Sequence, residues 1–89
     1  MKKFMVTHRV KDVDWWLANN SIEEVWGKMG VKFEIFTRKD SDTVAIVAET
    51  PYDGFIDFVL TNTTLATISM KADGVLIDTI QIFEQSNSA

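Results

Sequence analysis

The residues of this 89-residue chain whose types and spacing offer chemistry are its one histidine, His8, and its three tryptophans, Trp15, Trp16 and Trp26. His8 sits in an alternating run, with Phe4, Val6 and Val10 on its side and Lys3, Met5, Thr7 and Arg9 on the other. A histidine among apolar side chains is held neutral, because burial disfavours the charged form. A neutral imidazole can act as a general base or bond a polar group of a ligand. His8 is therefore the candidate catalytic residue, and Trp16, Asn20 and Trp26 on the segment that follows are the candidate ligand-binding residues of a cleft beside it. Each also has a structural role open to it. His8 can be a core histidine bonded to a backbone carbonyl, to Asp12 or to a helix side chain. Trp15 and Trp26 can be core, and Asn19 and Asn20 can be the chemistry of a helix break.

The elements that must position these residues follow from hydrophobic period and punctuation. Residues 2–10 are expected as a strand. Asp12 is an N-cap for a helix over about 13–29, with Trp15, Ala18, Ile22, Val25, Trp26 and Met29 on one stripe. Trp16 is offset from that stripe by about 100°, at the edge of the cleft. Gly30 suits the position just past the helix end. Asn19, Asn20 and Ser21 are weak helix formers, and Ser21 with Glu24 forms an S-x-x-E capping box, so a break near Ser21 is the alternative to one helix.

Residues 31–38 and 43–49 are strands joined by the polar turn Lys39-Asp40-Ser41-Asp42. Thr50-Pro51-Tyr52-Asp53 starts a second helical region, with Asn62 or Thr63 recapping a segment that points Leu65, Ile68 and Ala72 inward. Asp73-Gly74 closes it, and residues 75–84 are the last strand. Residues 1–85 then make one domain, and 86–89 a flexible tail. The order β, α, β, β, α, β predicts an α+β chain: a ferredoxin-like βαββαβ sandwich, with a four-stranded antiparallel sheet and helices on one face.

Composition narrows the function classes. The chain is 46% hydrophobic and 25% charged, an ordinary globular balance. It has no cysteine and a single histidine, which excludes a thiolate or histidine-rich metal site, and neither metal nor cofactor is expected. The net charge of −4 argues against non-specific nucleic-acid binding. No stretch reaches the roughly 20 apolar residues that span a bilayer, and Lys2-Lys3 is not followed by an apolar signal segment, so a cytoplasmic location is expected. Glycine-rich phosphate loops, nucleophile elbows and paired-carboxylate motifs are missing.

The outward sheet positions are less polar than a solvated face requires. Met5, Phe36, Ala45, Val47, Ile77 and Phe83 stand among Thr7, Arg9, Glu34, Arg38, Glu49, Thr79 and Gln81. A second copy of the same sheet is the simplest cover, so a homodimer through Met5, Phe36, Val47 and Phe83 is expected, against a monomer with scattered surface apolar residues.

The run His8-Arg9-Val10-Lys11-Asp12-Val13-Asp14-Trp15-Trp16 resembles the opening of small dimeric α+β-barrel proteins related to antibiotic-biosynthesis monooxygenases. The element order and the split second helical region match over nearly the whole chain. The resemblance implies a dimeric α+β barrel, with the ligand between sheet and helices and the opposite faces forming the dimer. It implies cofactor-independent oxygenation, isomerisation or haem degradation as activities found in the superfamily, but His8 does not map onto the motif of the haem-degrading members. From the residues and the resemblance together, the expectation is an apolar small molecule held in the cleft, with proton transfer or monooxygenase-like chemistry at His8. The alternative is a non-catalytic dimeric scaffold or ligand sensor.

Overall fold

The computed structural model describes residues 2–51, 54–60 and 65–86. It is an α+β chain with an open, four-stranded antiparallel sheet. The strands are β1 (Lys2–Val10), β2 (Lys32–Arg38), β3 (Thr43–Thr50) and β4 (Val75–Glu84), in the order β2-β3-β1-β4. Between β1 and β2 lie α1 (Val13–Asn19), α2 (Ile22–Val25) and a 3₁₀ turn at Gly27–Met29; between β3 and β4 lie α3 (Phe55–Leu60) and α4 (Leu65–Ala72).

One sheet face is the core. Phe4, Val6, His8 and Val10 of β1 and Val44, Ile46, Ala48 and Thr50 of β3 are all buried. The helices lay Val13, Trp16, Ile22, Val25, Trp26, Phe55, Val59 and Met70 into the same buried cluster. Phe55 joins its two ends: its ring stacks on Phe4 at 5.3 Å and meets Trp26 edge-on at 5.1 Å. Such ring pairs add about 0.5–1.5 kcal/mol each beyond the area they bury.

The turn between β2 and β3 also fixes the start of α1. Asp42 adopts the left-handed conformation (φ 48°), which Asp tolerates better than most residues. Its carbonyl accepts the Val10 N–H at 2.9 Å and its carboxylate accepts the Val13 N–H at 3.1 Å. Asp12 caps the same helix through the Trp15 N–H at 3.1 Å. Gly30 ends the helical region with φ 79°, where a side chain would be strained.

The first helical region breaks at Asn20-Ser21, and the break changes which tryptophan is inside. A continuous helix puts Trp15 inward and Trp16 at the edge. The two short helices instead bury Trp16 to 1% and leave Trp15 49% exposed. Ala18 is likewise exposed. The cause is phase: α1 is set by Val13 and Trp16, and α2 restarts with Ile22, Val25 and Trp26. Ser21 forms no capping box; its hydroxyl bonds elsewhere.

The second helical region is also shifted. Thr50 closes β3 as a buried strand residue, and α3 starts at Phe55. Tyr52, Asp53, Asn62 and Thr63 lie outside the described residues. Among the α4 side chains that are described, Thr67 and Met70 are buried, while Ile68 is 56% exposed and Ala72 is exposed; the Leu65 side chain lies outside them. The Thr67 hydroxyl donates to the Val59 carbonyl at 3.0 Å, near the end of α3 where carbonyls lack helical partners. That bond, with Met70 one turn on, outweighs Ile68 as the inward choice.

β4 carries an irregularity beside His8. Thr7 faces Gln81 and Arg9 faces Leu76, so two steps along β1 are matched by five along β4. Because the excess is odd, the inward side of β4 changes parity, and Ile77 packs against the core instead of facing out. The Arg9 N–H donates to the Thr79 hydroxyl at 2.8 Å, and that hydroxyl donates to the Leu76 carbonyl at 2.6 Å. Past Glu84 the Gln85 N–H still bonds the Lys3 carbonyl, at 3.0 Å.

Candidate functional site

β1 delivers His8 to the middle of the inner face, opposite Val44, and only 2% of the residue is exposed. The Trp16 ring meets it edge-on at 5.9 Å. Burial lowers the imidazole from its ordinary 6.5 to about 4, with the nearby Arg9 peptide group opposing this in part. His8 is therefore neutral at pH 7. Among the described residues neither Nδ1 nor Nε2 has a hydrogen-bond partner of good geometry; the Arg9 backbone is the polar group that acts on the ring. A buried ring in that state forgoes the hydrogen bonds it makes in water, a cost of about 1–3 kcal/mol per lost partner.

A narrow cavity of about 20 Å³ lies beside the ring, lined by His8, Trp16 and Trp26 together with Ser21, Ser69 and Asp73. Its apolar remainder comes from Ile22, Val25, Ile46, Met70 and Val75. As it stands the space accommodates about one water. The cavity lies where the α1–α2 break meets the C-terminal end of α4. Asp73 joins the two: its Oδ2 accepts from both the Ser21 N–H and the Ser21 hydroxyl, each at 2.8 Å.

The structure brings together His8, Trp16 and Trp26 and leaves Asn20 outside the cavity lining. Asn20 makes the helix break instead. Its amide donates to the Trp16 carbonyl at 3.0 Å, and its Oδ1 accepts the Ile22 N–H at 3.2 Å. Asn19 similarly bonds back to the Trp15 carbonyl at 2.9 Å. Ser21, Ser69 and Asp73 are the polar residues of the cavity that sequence patterning passed over. One signal pointed to Asp73: an acid at the C-terminal end of a helix opposes the dipole there. Among the described residues no three histidine, aspartate or glutamate side chains gather as metal ligands, and no helix is long and apolar enough to cross a membrane.

Compared with known proteins, the chain matches no family model, no curated protein and no solved structure. The arrangement around His8 is thus what bears on function.

Proposed function

We propose that the chain is a homodimeric small-molecule-binding protein on a ferredoxin-like βαββαβ frame, with its ligand site in the cavity beside His8. The observation that carries this is the pair of unpartnered ring nitrogens in a buried, neutral histidine. A histidine kept for packing alone finds a partner, because an unpaired buried polar group destabilises the fold. Here the partner is a polar atom at the buried, otherwise apolar end of a ligand, and Trp16 and Trp26 form the walls. The present volume admits about one water, so the ligand widens the cavity by moving the α1–α2 joint off α4. The order β2-β3-β1-β4 and the resemblance to the dimeric α+β barrels support the frame.

A second function, proton transfer at His8, is favoured by the same open nitrogens, since one can take a proton while the other carries one. A base held at about 4 is weak at neutral pH, so binding is the better supported role. Calorimetric titration with phenol, one apolar ring and one hydroxyl, tests the site. Saturable binding of one phenol per chain is expected, weakened about tenfold in a folded His8→Leu variant by loss of one hydrogen bond. Equal affinity in both proteins would remove His8 from the site.

A further inference from the structure

Asp73 has two surroundings. Inward, it lines the His8 cavity. Outward, with Gly74, it lines a surface groove of about 360 Å³ between the start of α1 and the end of α4, whose other walls are Lys11, Asp12, Trp15, Lys71 and Ala72. The side chain that closes the cavity is thus shared with the groove. The Lys11 stem lies over Gly74, whose missing side chain leaves the lysine Cβ 3.8 Å from the point where one would stand. The Lys11 N–H is fixed to the Gly74 carbonyl at 3.0 Å.

The charges of the groove are unevenly engaged. Asp12 accepts the Trp15 N–H and Asp73 accepts two donors from Ser21. Lys11 and Lys71 form no ion pair or side-chain hydrogen bond with any described residue. Beside them the Trp15 ring is 49% exposed, although it adjoins the fully buried Trp16 in sequence. Two free ammonium groups next to an uncovered indole fit a flat or apolar body that carries an anionic group.

We infer that the groove is the outer part of the His8 site, and that its ligand is a carboxylate with an apolar body ending in one hydroxyl. The ring end, carrying the hydroxyl that His8 bonds, passes the Ser21–Asp73 contact, while the carboxylate stays in the groove between Lys11 and Lys71. Displacing that contact frees the Asp73 side chain and joins the two spaces. This rests on the cavity proposed above as a ligand site and adds the class of molecule and its direction of approach.

The test compares 3-(4-hydroxyphenyl)propanoate with its neutral amide by calorimetry, on wild type and on a Lys11→Gln/Lys71→Gln variant checked for fold by circular dichroism. The carboxylate should bind about tenfold more tightly than the amide to wild type, as expected for two partly exposed charge contacts. The preference should fall to about twofold or less in the double variant and shrink with added salt. Equal affinity for acid and amide in wild type, or a preference that survives the double variant, overturns the carboxylate assignment and leaves the cavity intact. Failure of both compounds and of phenol to bind overturns the cavity as a ligand site, and this inference with it.

Discussion

The two faces of the sheet carry their exceptional residues in opposite ways. The inner face buries one polar ring, His8, among Phe4, Val6 and Val10. The outer face exposes apolar side chains among charges, with Met5 at 42%, Phe36 at 54% and Phe83 at 51%. On the outer face, Val47, Met5 and Phe83 are matched across β3, β1 and β4 into one row. The next row outward pairs Lys3 with Glu49, whose charged ends meet at 3.2 Å. The inner exception costs stability inside a single chain, because its ring nitrogens meet no partner among the described residues. The outer exception costs little in the single chain, and the proposed second copy would turn it into contact area. A departure from pattern on a buried face therefore points to a ligand, and one on an open face to a protein surface.

The largest expected effect breaks the inner side of that comparison by acid. His8 titrates at about 4 in the folded chain and at 6.5 as its ordinary value. Between those two values the unfolded chain binds the extra proton, so stability falls as pH is lowered from 6.5 toward 4. The window is worth about 3 kcal/mol at 1.36 kcal/mol per unit. Carboxylates titrate in part of the same range, so the quantity to measure is the difference between wild type and His8→Leu in urea unfolding at pH 7 and pH 4. The variant should be at least as stable at pH 7, having lost an unpartnered ring, and its advantage should widen by about 3 kcal/mol in acid. Parallel stability curves would mean that His8 is solvated or paired in solution.

A smaller effect is expected at the wall of the cavity. Asp73→Ala leaves the Ser21 N–H and hydroxyl without their acceptor, both at 2.8 Å in the folded chain. The loss of two charge-assisted bonds at a half-buried site should lower stability by about 1–2 kcal/mol, roughly 4–16 °C in Tm for a domain of this size. If the contact closes the cavity, the same variant should also bind phenol faster in stopped-flow mixing. Reduced stability with unchanged binding rate would make Asp73 a structural tie only.

The particular residues show what a sequence discloses and what it withholds. β1 was legible to the residue, because a two-residue alternation beside a sheet partner leaves one phase that buries Phe4, Val6 and Val10, and His8 goes with them. The α1 phase was not legible, because six apolar residues spaced across Asn20-Ser21 fit one long helix on paper. The side-chain bonds of Asn20 end the helix and bring Trp16 in for Trp15. In α4, Thr67 displaced Ile68 for a carbonyl that belongs to another helix. Ile77 changed side through a strand irregularity whose three extra residues leave no mark on composition. Asp73 read as turn chemistry before a glycine, and its partner Ser21 is 52 residues away. Local period thus located the histidine, while contacts between distant segments built its surroundings.

The smallest effect on the fold, and the sharpest test of the outer face, is Met5→Lys combined with Phe83→Lys. Both side chains are already about half exposed, so unfolding of the single chain should change by no more than about 0.5 kcal/mol. Their positions are paired, Met5 opposite Phe83, so the two ammonium groups stand side by side on that face. A two-fold pairing of sheets brings the same patch against itself, so the contact would enclose four added charges, against which each chain sets only Glu34, at the β2 end of the same row. Sedimentation at micromolar concentration should show twice the chain mass for the wild type and the chain mass for the double variant. The phenol affinity per chain should be retained, since His8 lies on the other face. A wild type that sediments at the chain mass would end the pairing, and loss of ligand affinity together with the dimer would show that the two faces act as one site.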